Sequence, residues 1–218
     1  MNNSYLRTRK TVLLALFVAL IIVMSVVPFI GYIPLGFMNA TIIHVPVILG
    51  ALLLGPKEGA LLGFMFGLTS MINNSFRPNI TSFVFSPFYG NEFGNGGIKS
   101  IIICFVPRIL IGLAAYLVYR LVNRLVNRIS KKEDSRSPVA LAAAGIAGSL
   151  TNTLLVMNGI YFLFGSSYSD AKGVAADALY KVILSVILIN GIPEAIVAAL
   201  LVSVIGTVLL KLYPVNKK

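Results

Sequence analysis

No tryptophan, one cysteine, one histidine and only seven acidic side chains occur among 218 residues, and each shortage removes a class of function. A lone Cys104 cannot close an intramolecular disulfide, and inside an apolar run it reads as a small core residue. Cys104 and His44 alone do not make the ligand set of a zinc site, so no metal and no cofactor are expected. No Gly-x-x-x-x-Gly-Lys-Ser/Thr stretch is present, which removes the phosphate cradle of an ATPase. Gly-x-Ser-x-Gly and His-Glu-x-x-His are missing as well, so the common hydrolytic centres are absent. The shortage of acids leaves a net charge of +11. The basic residues gather at the ends of apolar runs, and no zinc finger or aromatic-basic motif accompanies them, so nucleic acid is not the expected partner.

What the chain has in excess is apolar sequence. Hydrophobic residues make up 57% and charged ones 11%, against about 25% charged in a soluble domain. With a mean hydropathy of +0.91, this composition predicts an all-α integral membrane protein in contact with the lipid bilayer, multi-pass in the cell membrane. Six transmembrane helices are drawn at about 11–28, 40–54, 58–72, 98–122, 138–164 and 176–212. The first follows Arg7, Arg9 and Lys10 like a signal peptide, but it is long for one and lacks a cleavage site, so it is read as retained. With the N-terminus inside, thirteen of the 18 basic residues fall on the inner side, four on the outer, and Arg108 within a span. That bias predicts cytoplasmic N and C termini. The chain reads as one membrane domain over 1–218, with outer lid loops at about 30–39 and 73–97 and a cytosolic basic linker at about 123–137. Six aromatic residues in the longer loop favour packing over disorder. Arg120, Arg124 and Arg128, four apart, read as a cytosolic anchor at anionic headgroups.

Small residues recur every fourth position in three spans: Ala15 and Ala19; Gly55, Gly59, Gly63 and Gly67; Ala140, Ala144 and Gly148. Such stripes share a helix face and let membrane helices approach closely. The second and third read as internal packing, whereas Ala15 and Ala19 read equally as a docking surface. More specific is a set of polar residues at bilayer depth. Arg108 sits in the middle of an apolar run, where a charge costs at least ~2.5–3.5 kcal/mol and so faces a partner or a wet cavity. Its planar fork of donors suits a carboxylate. Asn152 follows in the fifth span, and Asn158 and Tyr161 share a face with Thr151. Asn190 and Glu194 lie four apart in the sixth, flanking Gly191 and Pro193. Two accounts stand: Arg108 and Glu194 form a structural ion pair, or Arg108 holds a substrate carboxylate while amides and Tyr161 take its hydroxyl or amide groups. His44 reads as a packed or interfacial residue, with a pocket contact as the alternative. Asn39, at the end of the shorter loop, completes the candidate set.

The chain resembles the substrate-binding S component of energy-coupling factor (ECF) vitamin transporters. The resemblance rests on the six spans, Ala15-x-x-x-Ala19, the run from His44-Val45-Pro46 to Gly55-Pro56-Lys57, Gly63-Phe64-Met65-Phe66-Gly67-Leu68, Pro107-Arg108, and Gly148-Ser149-Leu150-Thr151-Asn152-Thr153. These stretches look like the pantothenate-specific branch. The resemblance implies a non-enzymatic subunit that captures the vitamin from outside. It then docks, through Ala15 and Ala19, on a transmembrane coupling protein carrying two ABC ATPases, and topples in the membrane to release its cargo inward. The missing ATPase motif fits that division of labour, and pantothenate, a monoanion with an amide and two hydroxyls, fits Arg108. The alternatives are an S component for another small vitamin or precursor, and a stand-alone secondary carrier, which would usually show an inverted repeat. A membrane enzyme would need clustered acids or a nucleophile with a base, and a structural subunit would bind nothing.

Overall fold

In a computed structural model, residues 3–27, 31–34, 39–130 and 136–212 are described. The chain is mostly helical: α1 (Asn3–Val26), α2 (His44–Leu54), α3 (Pro56–Phe76), α4 (Ile98–Ser130), α5 (Pro138–Lys172), α6 (Leu179–Val186) and α7 (Ile192–Leu212). A π-helical segment, Ile187–Gly191, joins α6 to α7. Two small antiparallel hairpins interrupt the helices, β1 (Tyr32–Pro34) with β2 (Asn39–Thr41), and β3 (Gly90–Asn91) with β4 (Gly94–Asn95).

Four of these rods are long and apolar enough to cross a membrane: Arg7–Val26, Ile98–Ser130, Pro138–Lys172 and the continuous Leu179–Leu212. The other two expected spans differ. α2 begins at His44, because 39–41 is a strand, and its 11 residues reach only about 16 Å. Nine of the eleven are buried, so α2 is a short rod enclosed by the others. α3 has the length, at 21 residues, but not the apolar character of the other four. The linker expected at 123–137 is largely helix, since α4 runs on to Ser130; residues 131–135 lie outside the described set.

Local sequence explains the joints. Gly55, at φ 114°, makes the reversal between α2 and α3, and Pro56 opens the new helix where its missing N–H costs nothing. Pro193 lacks the N–H that would close the turn before it, and the backbone widens into the π segment just upstream. α5 bends at Phe164 and ends on left-handed Gly173.

The glycine stripe of α3 packs inside the fold, as expected. A Cβ on Gly63 would overlap the Arg108 carbonyl, one on Gly59 would reach Gly112, and one on Gly67 would come within 2.8 Å of the Cys104 carbonyl. α3 and α4 therefore run antiparallel with their backbones nearly touching. Gly63→Val is expected to destabilise the purified protein by about 3 kcal/mol, because two packed backbones must move apart. A thermal melt in detergent indistinguishable from wild type would contradict this contact.

Buried apolar residues form two clusters. The first draws on α1, α2, α3, α4, α5 and α7, with Ile48, Ile111, Leu141 and Val202 among its members. The second joins α5 and α6 to the 77–97 segment through Phe83, Ile103, Met157 and Ile183. That segment was expected as an aromatic lid beginning at 73. α3 takes its first residues, to Phe76, and much of the rest is packed rather than loose. Phe83 is fully buried edge-on to Phe164, at 5.7 Å between ring centroids. Phe76 and Phe88, by contrast, are exposed.

Candidate functional site

The two apolar clusters do not meet on every helix. Along α4 the order is Ile103 in the second cluster, then Arg108, then Ile111 and Ala115 in the first. Along α5 it is Leu141 and Ala144, then the polar stretch 149–153, then Val156 and Met157. Along the last rod it is Ile183, then Asn190 and Glu194, then Ala198 and Val202. Three helices thus change from apolar to polar and back at one level.

The floor of this layer is apolar. A Cβ on Gly148 would lie 2.5 Å from Ile48 Cδ1 and 3.4 Å from Ile111 Cγ2, so α2, α4 and α5 converge there. One helical turn further, on the same three faces, stand His44, Arg108 and Asn152. Their convergence is a product of tertiary packing, since the three are far apart in sequence.

Arg108 is held by the proline before it. Pro107 has no N–H to give to the carbonyl of Ile103, four residues back. The Arg108 Nη1 donates to that same carbonyl at 2.7 Å. The side chain is thereby turned toward the start of α4, the direction helical side chains lean. The guanidinium lies 5.6 Å from the Phe66 ring centroid and 5.3 Å from that of Phe85, so α3 and the 77–97 segment supply an aromatic face on each side. Arg108 is 6% exposed.

Glu194, considered as an ion-pair partner for Arg108, has its two oxygens on other groups. Glu194 Oε1 accepts the Thr41 N–H at 2.7 Å, and Oε2 accepts from Thr153 Oγ1 at 3.3 Å. Several buried polar atoms have no hydrogen-bond partner among the described residues: both ring nitrogens of His44, Ser149 Oγ, Asn152 Oδ1 and Asn190 Oδ1. Leaving such a group unsatisfied costs about 1–3 kcal/mol, and four residues at one level carry that cost. A hydroxyl- and amide-bearing guest would relieve it.

Not every expected residue belongs to this layer. Asn158 donates from Nδ2 to the carbonyl of Leu154 on its own helix, beside a Leu154 side chain that is 42% exposed. Tyr161 packs edge-on to Phe162 at 5.3 Å and to Tyr180 at 5.1 Å, in an aromatic group between α5 and α6. The buried face of α5 runs through 149, 153, 156, 157 and 160, so alignment with Thr151 selected the neighbouring face. Asn39 opens β2, and its side chain lies outside what is described. Ser149, Thr41, Phe66 and Phe85 were not singled out. Ser149 carried a signal in its spacing of four from Thr153, but nothing local marked Thr41 or Phe85. Among the described residues no cluster of possible metal ligands occurs.

On α1, Ala15 and Ala19 are exposed. With Leu14 and Val18 they line a shallow groove of about 350 Å³ whose other wall is Leu61 and Met65 of α3.

Four helices long and apolar enough to cross a membrane, with Arg108, Glu194 and His44 buried among them, define a membrane protein with a polar interior. The profile of the ECF transporter, substrate-specific component, family matches residues 9–206, and the chain belongs to that family. It is similar to the pantothenic acid transporter PanT of Lactococcus lactis subsp. cremoris, strain MG1363, at 34% identity over 201 residues, 86% of this chain and 93% of that protein. It is also similar to the pantothenate transporter PanT of Leuconostoc mesenteroides subsp. mesenteroides, at 28% identity over 215 residues, 96% and 95% of the two chains. The protein is a transporter component of the cell membrane and not an enzyme.

Proposed function

We propose that this chain binds pantothenate from outside the cell and delivers it inward by docking on a transmembrane coupling protein that carries two ABC ATPases. The observation that supports the reading is a buried Arg108 in a fold where His44, Ser149, Asn152 and Asn190 also bury polar atoms without partners among the described residues. Pantothenate offers one carboxylate for the guanidinium, and an amide and two hydroxyls for His44, Ser149, Asn152 and Asn190. The names of the two relatives support the same cargo. Asn39 is retained as a contact from the β1–β2 hairpin, and Asn158 and Tyr161 are set aside.

In this reading the six helical rods lie across the membrane as one domain over 1–218, with α2 and α3 completing the six spans and both termini cytoplasmic. The basic bias of thirteen residues to four supports that orientation. Segments 30–39 and 73–97 cover the outer mouth, and the basic stretch 123–137 lies at the cytosolic face. Ala15 and Ala19 form the docking surface, because a groove floored by small side chains accepts a helix at close range.

Calorimetric titration of the purified full-length protein against pantothenate and a panel of other small vitamins tests the assignment. Saturable binding of one pantothenate per chain is expected. Tighter binding of another vitamin would reassign the cargo, and no binding across the panel would overturn the reading.

A further inference from the structure

Glu194 is a carboxylate inside the bundle, 7% exposed, in the first turn of α7. Its two oxygens reach two other elements: the Thr41 amide, three residues before His44, and the Thr153 hydroxyl, next to Asn152. Asn190 is one turn away on Glu194's own rod. The carboxylate therefore ties together the three elements that present His44, Asn152 and Asn190.

The local geometry makes this a junction. In the hairpin, Ile42 donates its N–H to the Gly31 carbonyl at 3.0 Å, while the neighbouring Thr41 N–H turns the other way to Glu194. The Thr153 hydroxyl also lies 3.3 Å from the Ser149 carbonyl, so its position is fixed from two sides. A Cβ on Gly191 would sit 3.1 Å from Thr153 Cγ2, which places the π segment that leads into α7 directly against α5 at this point. The shorter of the two bonds, 2.7 Å from the Thr41 N–H to Oε1, holds the chain that leads into α2.

We infer that Glu194 is a positioning residue: its carboxylate clamps the start of α2 to α5 and α7 and sets the spacing of His44, Asn152 and Asn190 around the ligand, without touching the ligand. Both side-chain oxygens already serve the protein, one at Thr41 and one at Thr153. The inference rests on the pantothenate reading for its affinity arm alone.

Glu194→Gln and Glu194→Ala separate positioning from contact. Glutamine keeps the length and an acceptor oxygen for the Thr41 N–H, so pantothenate affinity is expected to stay within about fivefold of wild type. Alanine removes both bonds and is expected to lose about 30-fold, mainly through faster dissociation. Thr153→Val, which leaves the charge and the Thr41 bond in place, is expected to lose about fivefold and guards against an unstable alanine variant. Equal losses in the glutamine and alanine variants would mean that the charge itself meets the ligand, and would overturn the inference. A second readout needs no ligand. Hydrogen exchange at the Thr41 amide is expected to be slow in wild type and Glu194→Gln, and at least about tenfold faster in Glu194→Ala. Unchanged exchange at Thr41 would remove the clamp. Should wild type fail to bind pantothenate, the proposed cargo falls while the exchange experiment still decides the role of Glu194.

Discussion

Arg108→Ala is expected to weaken pantothenate binding by about 100-fold, the largest loss of any single substitution in the layer. The guanidinium is buried, turned by its bond to the Ile103 carbonyl, and flanked by Phe66 and Phe85. A carboxylate brought to it is held in low dielectric, where losing one partner of a charged pair costs about 2–5 kcal/mol. Lysine restores the charge without the planar fork, so Arg108→Lys is expected to recover part of the affinity and remain about tenfold below wild type. The comparison also guards against a folding artefact, because alanine leaves the Ile103 carbonyl without a partner beside Pro107. Titration calorimetry, with a thermal melt of each variant, reads the result. Unchanged affinity in Arg108→Ala would end the carboxylate-clamp reading.

The second large effect separates binding from transport. The double variant Ala15→Trp, Ala19→Trp fills the groove between α1 and α3 with two bulky rings. Helix association in lipid depends on close packing of small residues, so a partner helix no longer seats. Cellular pantothenate uptake is expected to fall at least about tenfold while the purified variant binds within about twofold of wild type, because α1 supplies none of the layer's unsatisfied groups. Uptake equal to wild type would remove the docking role. Uptake by the chain alone in liposomes would favour a stand-alone carrier instead.

The legibility of this protein follows the range of the interactions involved. The first, fourth, fifth and last rods were readable because roughly 20 apolar residues in a row have one solution in lipid. The glycine stripe of α3 was readable as packing because every fourth residue lands on one face. α2 was misjudged at its start: 40–54 is apolar apart from Thr41 and His44, and composition does not separate a short strand from the first turn of a buried helix. Asn158 and Tyr161 were selected by alignment with Thr151, but the buried face of α5 lies one position away, and a helix turns about 100° per residue. Phe85 could not have been paired with Arg108, because its place depends on how the 77–97 segment folds back over the end of α4.

The sequence by itself determined that this is a helical membrane protein, that it carries no ATPase motif, and that a charge retained in an apolar span needs a reason. These follow from composition and from the transfer energies of single residues, which act wherever the chain goes. Only the tertiary structure decided that Glu194 turns to Thr41 and Thr153, and that Arg108 is set between Phe66 and Phe85 with its Nη1 on the Ile103 carbonyl. Those outcomes depend on the antiparallel register of α3 with α4 and of α5 with α7, set by backbone contacts at glycines between residues distant in the chain.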